Sequence, residues 1–208
     1  MIRQTLSLLA ILLLCVTAVN GAPRPAPLLP VRPYAGIGVV VLPLAIANAE
    51  GHEPVILYRE PGIGRLPDLD SARLPSNDQV FMGPPGLRAL IVTARKSEWL
   101  RVMVDEGGRE AWLKQRRSLR YQPWEVFLKT HPCRLLPGIR KAFYQLSPVI
   151  GAGAGEPLAP RQLVKAVRVS GDWAQVVTEQ MRIGWIRWRD EDGRLLVSFD
   201  MAIEPENR

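Results

Sequence analysis

The sequence is poor in the residue types that build cross-links and metal centres. It has two cysteines and two histidines in 208 residues. Cys15 lies in the N-terminal apolar run described below, so removal of that run leaves Cys133 alone and excludes a disulfide within the chain. His131 lies two positions before Cys133, but a zinc site needs three or four ligands at defined spacing. We therefore predict no metal, no cofactor and a fold that is stabilised by packing.

The patterns of common catalytic sites are also lacking. A cysteine peptidase needs a thiol nucleophile and a histidine base within reach, whereas only Pro132 separates His131 from Cys133 and no glycine-rich turn supports the thiol. The glycine-rich residues 151–155 lack the lysine and the serine or threonine that complete a phosphate-binding loop. The acidic residues 190–192 are typical of a solvated hairpin turn. We therefore expect that the protein is not an enzyme.

Only one long apolar run is present, and it lies at the N-terminus. Residues 6–19 form an apolar run of 14 residues after the positive charge of Arg3, which is typical of a secretory signal peptide that is cut before Ala22. The alternative is an uncleaved anchor, but a helix needs about 20 apolar residues to span a bilayer. We therefore predict a signal peptide at 1–21 and an exported protein, periplasmic or extracellular, with no stable membrane span after cleavage.

Acidic residues are outnumbered by basic ones, 20 to 27, which gives a formal net charge of +7. In an exported protein the acidic partners within reach are wall polymers and anionic lipid headgroups, so nucleic acid is not an expected partner. The densest basic stretch carries Lys114, Arg116, Arg117 and Arg120. Two interpretations stay open for it, a binding surface for an anionic partner and an ordinary solvated surface.

Proline and glycine are abundant, with 19 and 17 copies. The proline density is highest in residues 22–36, which we predict to be an extended polyproline II linker. Pro27 and Pro30, and likewise Pro30 and Pro33, have the PxxP spacing of segments that dock in aromatic grooves. A plain spacer is the alternative.

Three short segments recur in the same order along the chain. The pairs are 61–63 and 137–139, 97–102 and 171–176, and 109–113 and 182–186. Their offsets of 76, 74 and 73 residues are nearly constant, as expected for duplicated units whose loops differ in length. We therefore predict two copies of one unit, at 37–120 and 121–200, followed by a C-terminal tail at 201–208.

Each unit consists of short segments rich in valine, isoleucine and tryptophan. They are 90–93, 99–104 and 111–113 in the first unit and 163–169, 173–178 and 182–188 in the second. Such segments are typical of β-strands, and no stretch after the signal peptide keeps a helical period for more than about one turn. Tyr121, Trp124 and Phe127 lie between the units and either join the two domains or begin the second one. The prediction is an all-β fold of two small barrels, which limit exposed sheet edges.

The repeated strands carry a pattern that resembles the bacterial SH3-like domain family. It consists of a Trp-x-x-Val strand, a turn with glycine, and a strand that reads Ala-Trp-Leu or Gly-Trp-Ile. The two copies are Trp99, Val102, Ala111, Trp112 and Leu113, and Trp173, Val176, Gly184, Trp185 and Ile186. Residues 58–62, Tyr-Arg-Glu-Pro-Gly, resemble an early turn of that family. The corresponding segment of the second copy is 134–138, whose sequence is Arg-Leu-Leu-Pro-Gly. The expected fold is two tandem SH3-like β-barrels after a signal peptide.

The resemblance implies a binding or targeting module. Domains of this family are common in exported bacterial proteins, and some bind peptidoglycan peptides. In such a barrel the tryptophan of the Trp-x-x-Val strand can lie at the edge of a shallow groove, which makes Tyr58, Trp99 and Trp173 the candidate ligand contacts; a packing role is the alternative. The expected partner is peptidoglycan. An envelope protein, bound as by an adaptor or an accessory structural subunit, is the alternative partner.

Overall fold

The structure is a computed structural model of the chain. It describes residues 32–43, 55–66, 74, 79–84, 87–105, 107–117, 119–152 and 155–201. Over these residues the fold is mostly β with one short α-helix, which confirms the predicted all-β class. The predicted signal peptide at 1–21, most of the predicted linker and nearly all of the C-terminal tail lie outside the described residues. No helix in the described part of the chain is long and apolar enough to cross a membrane.

The described strands are short, as the sequence predicts. Strands β1 to β8 are Gly38–Pro43, Leu57–Glu60, Ile63–Arg65, Phe81–Met82, Leu87–Lys96, Trp99–Met103, Glu110–Lys114 and Arg120–Pro123. Strands β9 to β15 are Cys133–Leu135, Gln145–Leu146, Glu156–Pro157, Leu163–Ser170, Trp173–Thr178, Ile183–Arg187 and Val197–Asp200. Helix α1 is Trp124–Thr130, and a 3₁₀ helix covers Lys141–Phe143.

Two larger sheets contain most of the strands, and five strands of one correspond in order to five of the other. The first sheet has the order β3-β2-β7-β6-β5-β1-β8, and the second sheet has the order β14-β13-β12-β9-β15-β4. Each contains a three-stranded meander, β5 to β7 or β12 to β14, that is extended by two further strands, β1 and β8 or β9 and β15. In each half a hairpin flanks the last meander strand, because Tyr58 on β2 pairs with Trp112, and Ser147 after β10 bridges to Trp185.

The strand registers of the two meanders also correspond. Trp99 lies opposite Lys114 in the first sheet, and Trp173 lies opposite Arg187 in the second. The long strands β5 and β12 each have a register shift, after Val92 and after Ala166. These positions are 74 residues apart, which is one of the offsets seen in the sequence.

One landmark of the sequence repeat pairs residues that are not equivalent in the fold. The cross-strand partners place Ser147, not a residue of 134–138, where Tyr58 lies in the first half. The counterpart of 58–62 is therefore 147–151. The backbone of the final glycine does not distinguish the two segments, since φ is +77 at Gly151, +76 at Gly138 and +78 at Gly62. The predicted alignment was wrong because segments 134–138 and 58–62 share only a Pro-Gly pair and the residues before it differ.

The prediction of closed barrels was also wrong. Strands β3 and β8 end the first sheet, β14 and β4 end the second, and within the described residues no pairing joins the two ends of either sheet. Strand β4 comes from the first half of the chain but pairs in parallel with β15, with Phe81 opposite Phe199. The first sheet buries one face in a cluster of its own, and residues of its other face share a second cluster with the second sheet.

The buried residues form two clusters, one of which joins both halves. Val40 and Leu90 belong to the cluster of the first sheet, whereas their neighbours Val39 and Ile91 belong to a larger cluster that includes α1 and the second sheet. Because successive strand residues point to opposite faces, β1 and β5 are buried on both faces. The two halves therefore share a core.

Helix α1 fills the centre of this shared core. It begins after Pro123, whose φ of −63 matches the fixed proline geometry. Trp124, Phe127 and Leu128 have the i, i+3, i+4 spacing of one helical face, and all three are buried. The Trp124 indole donates a hydrogen bond of 2.6 Å to the Ala35 carbonyl. The sequence left two interpretations for the aromatic residues between the units: they join the two domains, or they begin the second one. Trp124 and Phe127 join the two halves, and they do so on a helix that the sequence did not predict.

The described end of the predicted linker is part of the fold. The Ala35 amide donates to the Gly193 carbonyl at 2.8 Å, and the Leu195 amide donates to the Pro33 carbonyl at 3.0 Å. The Arg32 guanidinium donates to the Asp190 carboxylate at 2.7 Å. We call residues 32–36 the N-terminal strap, since they bind the hairpin before β15.

Candidate functional site

Two of the predicted ligand contacts lie together on the first sheet. Tyr58 is on β2 and Trp99 begins β6, and their rings meet edge to face with centroids 5.3 Å apart. Both side chains are half-buried, so each ring is held by the protein and still faces solvent. An edge-to-face pair of this kind fixes both rings in place and presents a preformed aromatic surface.

The turn between β2 and β3 closes one side of this aromatic pair. Gly62 has φ +78, a backbone conformation that favours glycine. A Cβ atom at this position would lie 3.7 Å from Cζ2 of Trp99, so the turn is in close reach of the indole. Ile63, the next residue, is 71% exposed. The turn thus adds an exposed aliphatic side chain beside the rings.

Charged groups of both signs flank the aromatic pair. Lys114 lies opposite Trp99 across β6 and β7 and forms an ion pair of 3.1 Å with Glu98. Glu60, two residues after Tyr58 on β2 and therefore on the same face of the strand, is exposed. A surface ion pair contributes little to stability, about 0 to 1 kcal/mol, so these groups can exchange partners with a ligand at low cost. The surface suits a ligand that carries both charges and a small apolar part.

The third predicted contact, Trp173, lies in the second sheet and is not joined to the pair. Its ring lies under the Arg187 guanidinium, 5.6 Å from the ring centroid. The position that Tyr58 occupies in the first half is taken here by Ser147, which is buried. The second half therefore has the tryptophan of the pattern without its aromatic partner.

The predicted basic stretch runs from the end of β7 to the start of β8. Arg117 and Arg120 are exposed, whereas the ammonium of Lys114 is paired with Glu98. Arg116, the fourth residue of the stretch, is half-buried. Only Lys114 is placed beside the aromatic pair by its strand register, through its position opposite Trp99.

The buried cysteine has the properties of a core residue. Cys133 is fully buried on β9, and burial raises the pKa of its thiol to about 12. A thiol with this pKa is protonated at neutral pH and is a poor nucleophile. The ring of His131 stacks on Phe127 with centroids 4.1 Å apart. Within the described residues no group of three or more potential metal ligands is present.

The sequence analysis missed one charged site entirely. Asp190, interpreted as part of a solvated turn, has a side chain that is only 2% exposed. It accepts hydrogen bonds from Arg32 and from the amides of Asp192 and Arg194. Burial acts to raise the pKa of Asp190, but these hydrogen bonds outweigh it and hold the pKa below its ordinary value. No local signal could reveal this role, because Arg32 lies 158 positions away in sequence.

Known proteins do not extend this description. A comparison with protein-family models found no match, and a comparison with curated proteins found none either.

Proposed function

We propose that the protein is an exported, non-enzymatic binding protein of the cell envelope that holds peptides of peptidoglycan against Tyr58 and Trp99. The contact of these two rings at 5.3 Å, half-buried and beside the exposed turn at Gly62, carries the proposal. Aromatic side chains held in place at the centre of a surface are the residues that most often dominate binding. Wall peptides offer carboxylates, amines and small apolar side chains, which fit the charged rim and the rings.

The proposed architecture is a pair of SH3-like modules that follow a signal peptide. The repeated strand order and the flanking hairpins support it, as do the corresponding registers of the two meanders. The resemblance to bacterial SH3-like domains connects this architecture with exported proteins of the envelope, periplasmic or extracellular. The partner is peptidoglycan and not nucleic acid.

The test is co-sedimentation of the purified protein with peptidoglycan sacculi at about 0.15 M salt, where the screening length is about 8 Å. The Tyr58→Ser variant introduces the residue that the second half has at this place, and Trp99→Ala removes the other ring. Each should reduce binding about tenfold, since loss of an interface aromatic costs more than about 1 kcal/mol. Tyr34→Ser is the matched control, because Tyr34 is an exposed tyrosine outside this site. Near-ultraviolet circular dichroism verifies that each variant is folded.

Unchanged pelleting of a folded Tyr58→Ser variant would contradict the proposed site. If the wild-type protein does not pellet with sacculi at this salt, peptidoglycan is not the partner. Recovery of one envelope protein in a stoichiometric complex would then favour the alternative, an adaptor or accessory structural subunit.

A further inference from the structure

A second candidate site lies in the other half of the fold, between the β10–β11 hairpin and β14. It is an open cleft of about 730 Å³, within the range of sites that hold small ligands and peptide side chains. Its apolar lining residues are Leu146, Pro148, Pro157 and Ile183. Its charged lining residues, Glu156 and Arg182, form an ion pair of 2.7 Å. The cleft shares no residue with the Tyr58 and Trp99 site.

In the first half an ion pair covers the surface that corresponds to this cleft. Arg101 forms an ion pair of 3.1 Å with Glu110 and lies over the Trp112 ring, 5.8 Å from its centroid. In the second half the strand register places Gln175 at the position of Arg101 and Ile183 at the position of Glu110. Ile183 is 63% exposed. The second half thus exposes an aliphatic side chain where its counterpart has an ion pair.

The two halves also differ in the turn before the last meander strand. In the first half Gly108, with φ +83, precedes Arg109, whereas in the second half Met181, with φ +61, precedes Arg182. A left-handed backbone is unfavourable for a residue with a Cβ, yet methionine stands here and is 77% exposed. Ser97 and Arg161 also have positive φ. Met181, however, lies directly before Arg182, which lines the cleft. Methionine is also an adaptable residue at binding surfaces.

The backbone of β14 is open towards the cleft. Thr178 donates its amide to the Arg182 carbonyl at 3.0 Å, and Trp185 exchanges two hydrogen bonds with Ser147. Bonded and non-bonded residue pairs alternate along an antiparallel ladder, so the amide and carbonyl of Ile183 point away from Val177 and β13. Among the described residues Ile183 has no ladder partner other than Val177 and makes no backbone hydrogen bond in a turn or loop. One donor and one acceptor therefore stand at the edge of the sheet beside the apolar lining.

We propose that this cleft binds an extended peptide segment that carries an aliphatic and an acidic side chain. The peptide main chain bonds to the amide and carbonyl of Ile183, as in the addition of a strand to a sheet edge. Its aliphatic side chain packs among Leu146, Pro148 and Pro157. The two prolines fix the backbone of the cleft in advance, which lowers the entropy lost on binding. The carboxylate of the peptide accepts a hydrogen bond from a second nitrogen of the Arg182 guanidinium, since the bond to Glu156 uses Nη1 and is kept.

The test is a nuclear magnetic resonance titration of the full chain with the peptide acetyl-Ala-Val-Leu-Glu-Ala-amide. The peptide with Gln in place of Glu is the neutral probe. Saturable shifts of the Ile183 amide are expected with both peptides, and tighter binding is expected of the acidic one. Arg182→Gln should reduce this preference about threefold to tenfold, because an exposed charge-assisted hydrogen bond is lost. Arg109→Gln, the same change at the corresponding place in the first half, should leave the preference intact.

A second variant tests the apolar part of the proposal. Ile183→Glu introduces the residue found at this place in the first half, where the strand accepts it, and should weaken both peptides at least tenfold. The proposal is overturned if the Ile183 amide does not shift, or if Arg182→Gln and Arg109→Gln behave alike. It is also overturned if the shifts at Ile183 appear on raising the protein concentration alone, since a second copy of the chain would then occupy the cleft.

Discussion

The bond between Asp190 and Arg32 gives a direct test of how the N-terminal strap is stabilised. In Asp190→Asn the shape of the side chain is kept. The remaining amide oxygen can still accept from the backbone of Asp192 and Arg194, but an NH₂ group replaces the oxygen that faces Arg32. The variant therefore removes one charge-assisted hydrogen bond, 2.7 Å long, and leaves the turn itself intact.

The expected cost follows from the burial of the two partners. A hydrogen bond to a charged group contributes about 1.5 to 3 kcal/mol. Arg32 is 29% exposed, so water can hydrate the freed guanidinium, but the new NH₂ group faces a second donor at a position where Asp190 is 2% exposed. Because a buried donor without a partner carries a penalty of its own, the cost should stay at about 1.5 to 3 kcal/mol. For a chain of this size that corresponds to a fall in Tm of roughly 3 to 12 °C. Asp192→Asn, at an exposed position two residues on, is the matched control and should cost less than about 0.5 kcal/mol.

The pH dependence provides a second readout of the same bond. The pKa of Asp190 is lower in the folded chain than its ordinary value, so its contribution to stability is present above the ordinary aspartate pKa, about 4. The contribution is lost as the pH falls through the lower folded-state pKa. Urea unfolding of wild type and Asp190→Asn at pH 7, 5, 4 and 3 should show a difference that shrinks only in the acidic part of the series. Equal midpoints for Asp190→Asn and Asp192→Asn at pH 7 would refute the reasoning, as would a difference that grows on acidification.

Two further predictions concern packing. Gly184→Ala should lower the free energy of unfolding by about 1 to 3 kcal/mol, measured by urea, because a Cβ there would lie 2.6 Å from Cγ of Leu146 and 2.9 Å from the Ser147 carbonyl; an unchanged urea midpoint would contradict this contact. The fragment 121–208 alone should lack a cooperative thermal transition, since it leaves Val39 and Ile91 out of the shared core; a cooperative transition would show that the halves fold independently.

The sequence was informative wherever structure depends on neighbouring residues. The short segments rich in valine, isoleucine and tryptophan predicted the meander strands, and Trp173–Thr178 on β13 coincides with the predicted segment. The closely spaced landmarks around Trp99 and Trp173 also keep their offset in the register of the sheets. Composition and spacing of this kind are local features, which a single sequence contains.

The features that the sequence did not reveal depend on partners far away in the chain. Helix α1 is too short for its i, i+3, i+4 spacing to form a sustained helical period, and its burial depends on Val39 and Ile91 in the first sheet. Strand β4 has two residues and forms only by pairing with β15. The role of Asp190 depends on Arg32. The hairpin beside Ile183 was not predicted, because the Pro-Gly pair at 137 and 138 hid the correspondence of 147–151 with 58–62.

The shared core gives a physical reason why the two halves differ at their surfaces. In a duplicated pair each unit can keep the same binding residues, but here only the first half has the tyrosine beside its tryptophan, and only the second exposes Ile183 at an open edge. Because β1 and β5 are buried on both faces, a change inside the core affects both halves at once. Exposed side chains on β2, β7 and β14 lie outside both clusters, so their substitution affects one half only. Divergence is therefore least costly at the flanking hairpins, and both candidate sites lie beside them.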